Sequence, residues 1–96
     1  MEPVSIDLPS DIHAVLTQLL EESERAVATG ECETARRAVG TVRTVSRTKL
    51  PDGELRAQLL HGSNRVHTAL RTDTEPNSEL VAEYLRAMLR RLEERD

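Results

Sequence analysis

Residues 10–42 read SDIHAVLTQLLEESERAVATGECETARRAVGTV, and this stretch decides the fold. Ile12, Val15, Leu16, Leu19, Leu20, Ala26 and Val27 recur at spacings of three and four, which lines up one face of a helix. Glu21, Glu22, Glu24 and Arg25 fall mostly on the opposite side. Ser10 or Asp11 can cap the start, because a side-chain oxygen accepts from the free N–H groups of a first turn. Gly30 suits the position just past the end, where positive φ has no steric cost for glycine. A second helix follows almost at once. Glu31 and Glu33 complement its dipole, and Cys32, Ala35, Ala38, Val39, Val42, Val45 and Ser46 share an arc. So short a connection predicts an antiparallel helical hairpin.

Leu50 and Pro51 close the second helix. Pro51-Asp52-Gly53-Glu54 is a turn, with Asp52 as candidate N-cap of a third helix. Leu55, Leu59, Val66, Ala69 and Leu70 mark that helix, and Leu60 widens its apolar side. Gly62 lies on the apolar arc, where it allows either a close approach of another backbone or a kink. Residues 72–78 form a polar loop, after which Asn77 or Ser78 can cap a fourth helix. Val81, Tyr84, Leu85, Met88 and Leu92 make its apolar face, flanked by Leu80 and Leu89. Residues 1–8 read as a flexible N-terminal tail. No alternating pattern of useful length supports a strand. The expectation is one all-α domain spanning 1–96, a small four-helix bundle built from helical hairpins.

The chain has 96 residues, 38% hydrophobic and 31% charged, with no Phe or Trp. Its core, built of Leu, Val and Ala, is thin. Either four amphipathic helices close a bundle, or two protomers share a core, and a homodimer is expected on that ground. No apolar run approaches the ~20 residues of a membrane span, and no basic segment precedes an apolar one as in a signal peptide. These readings predict a cytoplasmic protein. One cysteine is too few for a disulfide framework or a zinc finger.

The charges are segregated. Residues 1–35 hold eight acids against one base, a net −7. Residues 36–71 hold eight bases against two acids, a net +6. Residues 72–96 hold seven acids against four bases, a net −3. On the second helix Arg36, Arg43 and Arg47 share a stripe with Gly40. Guanidinium groups at that spacing can follow a line of phosphates; they can equally pair with Glu21, Glu22 and Glu24 across the hairpin. No Phe or Trp is present to stack on a base.

Several chemistries lack their residues. His61 and His67 are six apart and miss the i, i+4 spacing of a helical zinc pair. Cys32 reads as a small buried hydrophobe. Glu79 and Glu83 share a face, but no histidine completes a di-iron pattern. There is no glycine-rich phosphate loop and no nucleophile elbow. We expect a non-enzyme with no cofactor and no metal.

Twelve Arg against one Lys, many Thr and Val, and an acidic balance look haloarchaeal. The segment TVRTVSRTKLPDGELR, residues 41–56, resembles small uncharacterised helical proteins of that group, which implies an archaeal all-helical protein and no particular activity. The first hairpin is similar to a tetratricopeptide unit, with Leu19, Glu22, Gly30, Ala35 and Val39 at its positions. No second copy follows at the repeat period, so this likeness implies ordinary hairpin packing.

Two functions follow as expectations. The first is a protein-protein interaction or regulatory module, presenting a helical face to itself or to another protein. Its candidate assembly face is Val81, Leu85, Met88 and Leu92 on the fourth helix, which keep the seam spacing of paired helices. The alternative is a nucleic-acid-associated protein using Arg36, Arg43 and Arg47.

Overall fold

The computed structural model describes residues 10–72 and 77–94; the tail at 1–8 and most of the loop at 72–78 lie outside them. Four helices follow in order: α1 (Ser10–Ala28), α2 (Cys32–Lys49), α3 (Glu54–Thr72) and α4 (Ser78–Glu94). No strand occurs among the described residues. The expected four-helix bundle is the observed architecture.

Each helix packs on its neighbours in sequence, and α4 closes back on α1. All four contacts are antiparallel. The His13 ring at the start of α1 donates from Nε2 to the Leu92 carbonyl at the end of α4 (3.0 Å). Arg43 of α2 meets Asn64 of α3, and Arg65 of α3 lies over the Tyr84 ring of α4.

The termini follow local chemistry. Gly30 takes φ +80°. Its N–H donates to the Val27 carbonyl (3.2 Å) and that of Glu31 to Ala26 (2.8 Å), the paired bonds of a Schellman ending. Leu50 is extended (φ −96°, ψ 142°), as the residue before a proline prefers. Asn77 caps α4, its Oδ1 accepting from Leu80 N–H (3.1 Å). Asp52 does not cap α3: its carboxylate pairs with Arg56 (3.0 Å), one helical turn on. Asp11 accepts from the adjacent Ile12 N–H (3.0 Å), too local a bond to cap α1.

The core gathers Leu16 and Leu20 of α1, Val39 and Val42 of α2, Leu59 and Val66 of α3, and Leu85 and Leu92 of α4, all fully buried. Three serines, Ser23, Ser46 and Ser63, are buried with them. Ser23 and Ser63 turn their hydroxyls onto their own helices, donating to the Leu19 and Leu60 carbonyls. Helix α3 runs unbroken through Gly62, so no kink forms, and what approaches the glycine is the Met88 side chain rather than another backbone. A Cβ on Gly62 would stand 2.8 Å from Met88 Sδ and 3.0 Å from its Cγ. The missing side chain lets α4 close on α3.

Candidate anion-binding face

The antiparallel register of α2 and α3 sets two stripes side by side. Arg36, Gly40, Arg43 and Arg47 come from α2; Arg56, Asn64, His67 and Arg71 come from α3. Three contacts fix the alignment. Gly40 lies against the His67 ring, and a Cβ there would be 3.7 Å from Cδ2 and 3.8 Å from Nε2. Arg43 Nη1 donates to Asn64 Oδ1 (3.1 Å). Arg56 Nη2 donates to the Arg47 carbonyl (3.3 Å). From Arg36 to Arg47 the stripe covers about 16 Å of helix axis.

No acid occurs between residues 34 and 51 or between 55 and 72. Arg36 pairs with Glu33 (2.8 Å) and Arg56 with Asp52 (3.0 Å), both through exposed carboxylates on the same helix or its entry turn. Arg43, Arg47 and Arg71 have no carboxylate partner among the described residues. The cross-hairpin pairing of Arg36, Arg43 and Arg47 with Glu21, Glu22 and Glu24 does not form. Glu24 instead holds Arg86 of α4 (3.1 Å). The Arg43 Nε is buried and unpartnered. These cations carry little compensation, and exposed i, i+3 and i, i+4 pairs contribute only a few tenths of a kcal/mol.

The electrostatics register at His67. Burial and then the charges of Arg43, Arg71 and Arg36 push its pKa below the usual 6.5 of histidine. Beside it an open cleft of about 370 Å³ is lined by Arg36, Arg37, Gly40, Thr41, Thr44 and His67. Thr41 and Thr44 spend their hydroxyl protons on the Arg37 and Gly40 carbonyls (both 3.1 Å). The donors left to the cleft are guanidinium and imidazole groups.

Other candidates sit elsewhere. Val81, Leu85, Met88 and Leu92 are at most 3% exposed and fill the core of the single chain. Cys32 is half-buried with a free thiol, and His61 is exposed. Among the described residues no three or more His, Cys, Asp or Glu side chains converge on a metal position. None of the helices is long and apolar enough to cross a membrane. Val15 and Leu80 are the exposed large hydrophobic side chains there. The α1–α4 register separates them by about 18 Å along the bundle, so they do not join into a patch.

Sequence reasoning weighed His67 only as half of a zinc pair and missed its place against Gly40. Its signal was present: Asn64, His67 and Arg71 are spaced three and four apart, one stripe of α3, and the hairpin turns that stripe toward Gly40.

The chain belongs to the family described as a domain of unknown function (DUF8101), which matches residues 1–94. Neither the curated proteins nor the solved structures searched contain a match to it.

Proposed function

We propose that this chain is a non-enzymatic binding module whose working surface is the α2–α3 face, and that this face docks on the phosphate backbone of a nucleic acid. The observation that carries the reading is the row of Arg36, Arg43, Arg47 and Arg71, of which only Arg36 has a carboxylate partner among the described residues, the exposed Glu33 on its own helix. Such a row is the complement of a line of phosphates. About 16 Å of axis matches roughly five phosphates of one strand at 3.4 Å each. The acidic residues concentrated outside the α2–α3 hairpin do not oppose this. They repel the same polyanion and so orient the molecule face-on. Protein-protein docking through an apolar patch has less support, because the exposed Val15 and Leu80 stand apart.

A haloarchaeal source and a cytoplasmic location belong to this proposal, on the Arg-rich, Lys-poor composition. In molar salt the screening length is about 3 Å, so the contacts must be direct. A second reading is self-association, favoured by the charge segregation: the acidic face of one copy complements the cationic face of another.

The test is fluorescence anisotropy with a labelled DNA duplex between about 50 and 200 mM salt, where backbone contacts weaken steeply. Three phosphate contacts give a slope of log K on log salt of about −3. Replacing Arg36, Arg43 and Arg47 together with Ala abolishes binding in moderate salt. Undiminished retention of the duplex by the triple variant, or no binding by the unaltered chain at the low-salt end, overturns the reading.

A further inference from the structure

Two glycines sit inside helices, and only one is explained by packing. Gly62 makes room for Met88. Gly40 makes room for nothing in the chain itself, since a methyl group there would rest at ordinary contact distance from His67. Glycine weakens a helix interior, and alanine fits this position. The missing side chain leaves the His67 ring facing an open cleft.

We propose that the cleft at Gly40 seats a single phosphoryl group, gripped by the Arg36 guanidinium from α2 and by the His67 imidazole from α3. The proposal rests on reading this face as anion-binding, and it adds a discrete seat to a diffuse surface. Arg36 is free to turn, because its one partner, Glu33, is exposed on its own helix. His67 Nε2 lies on the Gly40 side of its ring. It donates as the neutral Nε2–H tautomer and more strongly as the imidazolium. The groups facing His67 are Arg36 and Arg43 from α2 and Arg71 from α3, with no carboxylate among its charged neighbours. A bound phosphoryl group supplies the missing negative charge, so binding and His67 protonation favour each other.

The test is an NMR titration of the intact chain with inorganic phosphate, following the His67 ring protons and the Gly40 amide at several pH values from 5 to 8. We expect saturable shifts centred on these two residues. Phosphate raises the His67 titration midpoint, while the ligand's own loss of charge as pH falls acts on affinity in the opposite sense. Gly40→Leu fills the cleft and Arg36→Ala removes one wall; each weakens phosphate binding tenfold or more. His67→Gln keeps a donor and leaves only the pH dependence that phosphate's own ionisation imposes. Should Gly40→Leu fail to fold, Arg36→Ala and His67→Gln decide the matter.

No shift at His67, or equal affinity in the variants, overturns the seat whatever the duplex assay shows. If duplex binding then persists and depends on the three arginines, the backbone-docking reading stands without it. If His67 responds as described and no duplex binds, the seat stands and that reading falls.

Discussion

Replacing each mid-helix glycine with alanine should move stability in opposite directions. Both substitutions gain the same helix-propensity term of up to about 1 kcal/mol. They differ in what the new methyl meets. At Gly40 the nearest atoms are His67 Cδ2 and Nε2, at 3.7 and 3.8 Å, so the gain survives. At Gly62 the methyl would lie 2.8 Å from Met88 Sδ, 3.0 Å from Cγ and 3.2 Å from Cε. The thioether can swing, but Cγ is nearer the backbone, and Met88 is only 3% exposed with core on every side. Overpacking of that kind costs about 1–3 kcal/mol. The contrast between Gly40→Ala and Gly62→Ala therefore isolates the contact cost, about 1–3 kcal/mol in favour of Gly40→Ala. Thermal and urea unfolding followed by helical circular dichroism measures it, each kcal/mol being worth about 4–8 °C in a domain of this size. Combining Gly62→Ala with Met88→Ala should cost less than the two changes summed, because the new methyl fills part of the space vacated. Equal stabilisation by Gly40→Ala and Gly62→Ala would refute the close approach of α4 to α3.

Leu85→Ala should cost about 2–5 kcal/mol, as for other fully buried leucines, whereas Leu80→Ser on the exposed flank of α4 should stay within about 0.5 kcal/mol of neutral; urea melts compare them. Asn77→Ala should cost about 1 kcal/mol by leaving the Leu80 amide without its cap, read the same way. His67 prefers its neutral form more in the folded chain than in the unfolded one, so the unfolded chain takes up more protons as pH drops below 6.5. Its contribution to stability is thus fully present above that pH and is lost as pH falls toward the folded value. The urea midpoint should decline over that range, and His67→Gln should flatten the decline.

The four helices were legible because their signals are local. Gly30 ends α1 through bonds within five residues of itself, and Asn77 caps α4 through a bond three residues away. What depended on a partner across the bundle was not legible. Gly62 read equally as kink or contact, since the difference lies in Met88, on another helix. Asp52 was a sound cap by position, but the Arg56 guanidinium one turn on competes for its carboxylate. The spacing of Val81, Leu85, Met88 and Leu92 said that this face is buried without saying against what; α4 packs on α1 and α3. The arginine stripe was visible, while its relation to His67 was not, because periodicity compares residues along one helix and this cleft is built across two.

The claim that the α2–α3 face is the working surface is tested most directly by mapping amide shift changes when a short DNA duplex is added to the isotope-labelled chain. Perturbations should fall on residues 36–47 and 56–71, with α1 and the outer face of α4 unmoved. Changes centred on α1 or α4, or none at low salt, would contradict it.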